Sequence, residues 1–160
     1  MNALRALAPH AHWFLRLALG SVFLYHGLTK FPVLNNLAEM MEMPVVAVGL
    51  LAAVETFGAL LILAGGAGAA WMTRLGGLLI APVMLGAIFM VHLPHGWNSV
   101  NMGTGNMGRG MEFQVTLLMI ALYFLAVGNA YSGRSQEAKE STETQLRRER
   151  EPRRPARKAA

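Results

Sequence analysis

The sequence predicts an all-α protein: an integral membrane four-helix bundle followed by a basic C-terminal tail that is disordered or forms a frayed surface helix. Of the 160 residues, 54% are hydrophobic and 14% are charged, whereas soluble domains carry about 25% charged residues. The apolar residues are also collected in four long segments, and most of the charges lie between these segments or after the last one. These features are typical of a protein that crosses a membrane several times.

The four apolar segments cover about residues 13–31, 45–65, 73–93 and 113–131. Each is close to the roughly 20 residues that an α-helix needs to cross about 30 Å of hydrocarbon. The second and third segments are joined by a tight, glycine-rich connection, which predicts that their helices are antiparallel neighbours. We therefore expect residues 1–133 to form the four-span bundle and residues 134–160 to form a charged tail.

The basic residues predict the orientation of this bundle. Nine Lys and Arg residues follow Ser132, and positively charged segments favour the cytoplasmic side. Four spans place both termini on one side, so the N terminus and the tail are both predicted to be cytoplasmic. Because the basic residues are concentrated in the tail and not on a folded face, nucleic acid is not an expected partner; the lipid bilayer is.

The absence of cysteine limits the chemistry that the chain can perform. Without cysteine it has no disulfides, no thiolate ligands for zinc or iron–sulfur centres, no covalently attached haem and no catalytic thiol. We therefore expect no intrinsic redox centre.

Four charged residues fall within the apolar segments: Arg16, Lys30, Glu55 and Arg74. Glu55 lies in the middle of the second segment, where a charged carboxylate costs roughly 2.5–3.5 kcal/mol on insertion scales. It is therefore expected to be paired or protonated. Arg16 in the first segment is the best candidate for a buried ion pair with Glu55, and Lys30 is the second. The alternative to a structural ion pair is a carboxylate that carries protons or binds a ligand.

Several polar residues are expected to converge at the outer ends of the helices. With the predicted topology, His26 and Lys30 end the first span, His92 ends the third and Glu112 begins the fourth. Imidazole, amine and carboxylate groups near the membrane edge suit a quinone headgroup, which needs hydrogen-bond donors and acceptors. We therefore regard His26, Lys30, His92 and Glu112 as a candidate quinone site at the outer leaflet.

Four stretches of the sequence together resemble the DoxX family of small bacterial membrane proteins: "RLALGSVFLYHGLTKF" (16–31), "ETFGALLILAGG" (55–66), "TRLGGLLIAPVMLGAIFMVH" (73–92) and "GMEFQVTLLMIALYFLAVGNAYSG" (110–133). The resemblance implies a four-helix bundle in the inner membrane of a bacterium. It also implies an association with redox complexes, since relatives include the DoxD-type subunit of an archaeal thiosulfate:quinone oxidoreductase. Arg16, Lys30, Glu55 and Glu112 fall on polar positions that recur in the family.

Three functions are consistent with these observations. The first is a membrane subunit of a redox complex that contributes a quinone site, while another subunit or a soluble redox partner supplies electrons. The second is a non-catalytic accessory subunit that braces a larger membrane complex. The third is metal binding: copper is suggested by the candidate ligands His92, His95, Met102 and Met107, and haem b by His26 with His92.

Overall fold

The protein is a bundle of antiparallel helices. The computed structural model describes residues 7–100, 108–130 and 140–147. Within these ranges the main elements are helices, with no strand, and this confirms the all-α prediction. The helices are α1 (His12–Lys30), α2 (Leu34–Met41), α3 (Val45–Ala64), α4 (Ala70–Ala87) and α5 (Glu112–Val127).

Three helical stretches are long and apolar enough to cross a membrane: Ala8–Met41, Val45–Ala64 and Ala70–His95. They correspond to the first three predicted spans. The fourth predicted span corresponds to α5, which is apolar but has only 16 residues, about 24 Å at 1.5 Å per residue. Residues 140–147 of the predicted tail form an exposed helix.

The first helical stretch extends further than the sequence predicts. The connection at residues 32–44 was expected to separate two spans, but a 3₁₀ turn (Phe31–Val33) leads directly into the short helix α2. Pro32 is accommodated in this turn, where its missing N–H costs little. The helix then ends at Glu42, which adopts a left-handed conformation with φ 54°. The first connection is therefore partly helical, and its helix α2 packs on α3.

Close helix packing depends on glycines that face neighbouring helices. A Cβ at Gly27 of α1 would lie 2.8 Å from the Thr56 amide nitrogen and 2.9 Å from the Ala52 carbonyl oxygen of α3. A Cβ at Gly77 of α4 would lie 2.8 Å from the Leu125 amide nitrogen of α5. Small residues that let backbones approach are the main means of helix association in lipid. These contacts, together with the packing of α3 on α4, place consecutive long helices side by side, and the predicted pairing of the second and third spans is confirmed.

We expect Gly27→Ala to destabilise the bundle and Gly86→Ala to leave it unchanged or slightly more stable. The first substitution forces the α1 and α3 backbones apart, at a cost of about 1–3 kcal/mol. At Gly86 a new Cβ meets nothing within 4 Å, so the gain in helix propensity of up to about 1 kcal/mol remains. Unfolding of the two purified variants in mild detergent measures the difference. Equal unfolding midpoints would show that Gly27 is not a close-packing position.

Candidate functional site

The buried carboxylate of Glu55, near the middle of α3, is neutralised by Lys30. The Lys30 ammonium forms an ion pair with the Glu55 carboxylate, and the two side chains are 17% and 6% exposed. Lys30 Nζ also donates to the His26 carbonyl oxygen at 3.1 Å. Glu55 is therefore buried and paired, as expected for a carboxylate in an apolar segment.

The predicted Arg16–Glu55 pair is wrong, and the reason is the register of α1 against α3. Gly27 of α1 lies beside Ala52 and Thr56 of α3, so Glu55 is opposite the Lys30 end of α1. Arg16 instead contacts the carbonyl oxygen of Ile62, seven residues or about 10 Å further along α3. The second candidate for the partner of Glu55, Lys30, is the one that forms the pair.

Arg16 belongs to a second group of buried and half-buried polar residues, here called the Arg16 cluster: Arg16, His12, Thr73 and Asn129. The guanidinium donates from Nε to His12 Nδ1 at 3.0 Å, from Nη1 to Thr73 Oγ1 at 2.9 Å and from Nη2 to Asn129 Oδ1 at 2.7 Å. It also lies over the Phe124 ring, 4.7 Å from the centroid. The charge of Arg16 is therefore held by neutral acceptors and an aromatic face.

The Arg16 cluster ties together the end of the bundle opposite Lys30. Asn129 Nδ2 donates to the carbonyl oxygens of Gly65 at 2.7 Å and Gly68 at 3.0 Å, in the connection between α3 and α4. The cluster thus joins α1, α3, α4 and the residues that follow α5. Asn129 and Thr73 were not identified from the sequence as functional residues. A signal was present, since both are polar residues beside long apolar runs.

A cavity of about 170 Å³, here called the Lys30 cavity, lies between α1, α3, α4 and α5. Its polar lining residues are His26, Lys30, Glu55, His92 and Gln114, and its apolar lining residues are Val22, Phe23, Met84, Ala87, Phe113 and Leu117. The structure thus brings together three of the four residues of the candidate quinone site. Gln114 was not identified from the sequence, because an uncharged residue near a helix start gives no distinctive signal.

Glu112, the fourth candidate, lies outside the Lys30 cavity. It lines a larger outer cavity of about 650 Å³, together with Trp97, Ser99, Gly108, Gly110, Phe113, Gln114 and Thr116. Its carboxylate accepts a hydrogen bond from the Ser99 backbone N–H at 3.1 Å, which holds the connection before α5 against the start of that helix. Because Phe113 and Gln114 line both cavities, the two cavities adjoin.

His92 is held in one ring orientation at the edge of the Lys30 cavity. It ends a π-helical segment, Ile88–His92, that continues α4; such segments occur frequently at functional sites. His92 Nδ1 lies 2.7 Å from the Arg109 carbonyl oxygen. A carbonyl oxygen only accepts hydrogen bonds, so Nδ1 carries the proton. In the neutral ring Nε2 is consequently an acceptor.

The metal-binding predictions receive no geometric support from the described residues. Among them no group of three or more His, Cys, Asp or Glu side chains could hold a metal ion. His95 ends a short 3₁₀ turn, Leu93–His95, and Met102 and Met107 lie outside the described residues. His26 and His92 do line one cavity, but about 170 Å³ is below the roughly 300 Å³ at which pockets for drug-sized ligands begin. A porphyrin would require a larger space.

The long apolar helices, with their charged residues buried in pairs and clusters, define a helical membrane protein. Residues 11–93 match the family model named DoxX. This match spans more than half of the chain, and the protein therefore belongs to the DoxX family, as the resemblance of its segments indicated. The matched region includes Arg16, Lys30, Glu55 and His92 and ends before α5. No curated protein and no solved structure gave a match.

Proposed function

We propose that this DoxX family protein is a membrane subunit of a redox complex and that it binds the headgroup of a quinone in the Lys30 cavity. The observation that carries the proposal is the composition of this cavity. An ion pair, two histidines and an amide line a space whose other lining residues are apolar and aromatic. Small-molecule sites commonly combine an apolar lining with a few polar groups that fix orientation.

The size and polarity of the Lys30 cavity suit a single substituted six-membered ring. Phe23 and Phe113 supply apolar surface for the ring faces, and Lys30 and the two histidines supply groups that can form hydrogen bonds with ring oxygens. The isoprenoid tail would remain in the hydrocarbon outside the helices. The positive charge of the C-terminal segment of the protein favours the cytoplasmic side. With this segment in the cytoplasm, the quinone headgroup would lie in the outer leaflet of the bacterial inner membrane.

In this proposal the chain binds the quinone but does not supply the electrons. It has no cysteine and hence no thiolate ligand for an iron–sulfur cluster. Electrons are exchanged with a redox centre on another subunit or on a soluble partner. What this chain contributes is the position of the headgroup, the exclusion of water around it and hydrogen bonds to its oxygens.

Filling the Lys30 cavity is expected to weaken quinone binding. Ala87 lines the cavity, and Ala87→Leu places three more carbon atoms in it. We expect the affinity for a decyl-substituted benzoquinone to fall at least about tenfold. This change corresponds to a loss of roughly 1.4 kcal/mol of binding free energy, as expected for a modest steric clash. The neighbouring Gly86→Leu variant is the matched control, since a Cβ there meets nothing within 4 Å. Binding is measured with the protein in lipid nanodiscs, after subtraction of quinone partition into empty discs.

Two results would contradict the proposal. The wild-type protein could show no saturable binding, both alone and after native purification with its partners, which would favour the bracing role of an accessory subunit. Alternatively, Ala87→Leu could bind as tightly as Gly86→Leu, which would place the quinone elsewhere on the protein. Thermal unfolding of both variants shows whether either one loses binding through loss of fold.

A further inference from the structure

We infer that the Lys30 cavity opens sideways into the lipid, through the interface between α1 and α5, and that the tail of its ligand leaves the protein there. The inference rests on the proposed function, because the ligand is taken to be the quinone. It adds the route by which the headgroup enters and the two helices along which the tail lies. Its basis is the difference between the α1–α5 interface and the other sides of the cavity.

The side of the cavity between α1 and α3 is closed. A Cβ at Gly27 of α1 would lie 2.8 Å from the Thr56 amide nitrogen and 2.9 Å from the Ala52 carbonyl oxygen of α3, so the two backbones are in contact. The ion pair between Lys30 and Glu55 joins the same two helices beside this contact. An apolar tail therefore has no passage between α1 and α3.

The outer end of the α4–α5 side is closed by the chain that connects these helices. The Met111 N–H donates to the Gly96 carbonyl oxygen at 3.0 Å, and the Glu112 N–H donates to the Trp97 carbonyl oxygen at 3.1 Å. Further towards the inner end, a Cβ at Gly77 of α4 would meet the backbone of α5. The segment that leaves α4 is thus tied to the segment that enters α5.

The interface between α1 and α5 is built differently. At its inner end Arg16 lies over the Phe124 ring, 4.7 Å from the centroid, and donates to Asn129 Oδ1 at 2.7 Å. Both glycines of α1 face α3 and α5 contains no glycine, so no glycine brings these two backbones together. Among the neighbouring pairs of long helices, α1 and α5 pack least closely. Towards the outer end, the Lys30 cavity lies between them.

The exposed lining residues mark where the cavity opens. Among the residues that line it, two are exposed: His26 on α1 and Phe113 on α5. The lining residues contributed by α3, by α4 and by the π-helical segment that follows α4 are buried or half-buried. His26 and Phe113 therefore form the rim of the opening, here called the cavity mouth.

The depth of the cavity mouth indicates what passes through it. His26 precedes Lys30 by four residues, about 6 Å along α1, and so lies inside the first apolar segment. Its neighbours Tyr25 and Leu28 are 67% and 51% exposed, as expected for side chains that face lipid. A ligand that reaches the mouth is therefore dissolved in the bilayer, with its ring in the cavity and its apolar tail outside, along α1 and α5.

The experiment maps the position of the tail on the wild-type protein. A decylbenzoquinone that carries a photoreactive diazirine in the middle of its tail is added to the full chain in lipid nanodiscs and irradiated. Trypsin cuts after lysine and arginine, and these residues place most of each long helix in a separate peptide. The peptides are 17–30 (α1), 31–74 (α3), 75–109 (α4) and 110–134 (α5).

Unlabelled decylbenzoquinone separates specific labels from background. At about ten times its Kd it leaves about one site in ten free for the probe, so specific labelling should fall about tenfold. We expect this fall in peptides 17–30 and 110–134 and not in 31–74 or 75–109. A decanol that carries the same diazirine but no ring is the background control: it should label all lipid-facing surfaces, and decylbenzoquinone should not reduce its labelling.

One variant and its matched control connect the labels to the Lys30 cavity. Ala87→Leu fills part of the cavity and should remove the labels that decylbenzoquinone displaces. Gly86→Leu adds a side chain at a position where a Cβ meets nothing within 4 Å, and it should keep them. Thermal unfolding of both variants shows whether a loss of labels comes from a loss of fold.

Each outcome has a distinct meaning. If the displaced labels include peptide 31–74 or 75–109, or spare either 17–30 or 110–134, the opening between α1 and α5 is overturned while quinone binding stands. If displaced labels persist in Ala87→Leu, the quinone lies outside the Lys30 cavity, and the proposed site and this inference fail together. If decylbenzoquinone displaces no label and shows no saturable binding, the proposed function itself fails.

Discussion

Replacing Lys30 with methionine is expected to destabilise the bundle by about 3–5 kcal/mol. The substitution leaves the Glu55 carboxylate, which is 5% exposed, without the cation that neutralises it. Removing one partner of a buried pair costs this much because the remaining charge stays in an apolar environment. The change is measured by unfolding the purified variant in mixed micelles of a mild detergent and a denaturing one.

The double variant Lys30→Met with Glu55→Leu is the control that isolates the ion pair. It removes both charges and keeps most of the side-chain volume, and replacing a whole buried pair by apolar residues is often neutral or stabilising. We expect it to recover most of the stability that the single variant loses. If the double variant is as unstable as Lys30→Met, the loss would come from packing around the Lys30 stem and not from the unpaired charge.

The Lys30–Glu55 pair shows why the stability and the proposed function of this protein are coupled. The same ion pair that neutralises the interior forms part of the wall of the Lys30 cavity. A single substitution there changes both the fold and the site, which makes Lys30 a poor probe of binding. Ala87, His92 and Gln114 line the same cavity without a share in the pair, so binding experiments on them are easier to interpret.

The sequence predicted the helices because the information for a membrane span is local. A run of about 20 apolar residues is sufficient to cross a membrane, and three such runs became long helices at nearly the expected positions. The convergence of His26, Lys30 and His92 was predictable for a similar reason. Alternating spans bring the end of the first helix and the end of the third to one side, whatever their contacts are.

The partners of individual side chains were not predictable, because they depend on register and rotation. Arg16 and Lys30 both lie on α1, and both were candidates for the ion-pair partner of Glu55. The packing of Gly27 against α3 fixes the register of the two helices, and this register brings Lys30 to Glu55. Glu112 was expected beside Lys30. Glu112 is the first residue of α5, and the two residues that follow it, Phe113 and Gln114, line the Lys30 cavity instead. Successive helical residues are rotated by about 100°, so a small difference in rotation exchanges one residue for another.

Replacing Arg16 with methionine is expected to destabilise the protein by at least about 3 kcal/mol. Arg16 is 1% exposed, and its donors are shared among His12, Thr73, Asn129 and the Ile62 carbonyl oxygen. Each buried acceptor that loses its donor costs about 1–3 kcal/mol. Relief from burying the guanidinium charge offsets part of this cost, but several acceptors lose a donor at once.

Arg16→Lys and Arg74→Met are the matched variants that separate charge from geometry. The lysine keeps the positive charge, but its three donors share one nitrogen and cannot reproduce the planar fork of the guanidinium. It should therefore recover little of the lost stability. Arg74 is an exposed arginine on α4, and its substitution should change stability by no more than about 0.5 kcal/mol. If Arg16→Met were as stable as the wild type, the free-energy cost of burying the guanidinium charge would equal the stabilisation from its hydrogen bonds. The Arg16 cluster would then make no net contribution to the stability of this end of the bundle.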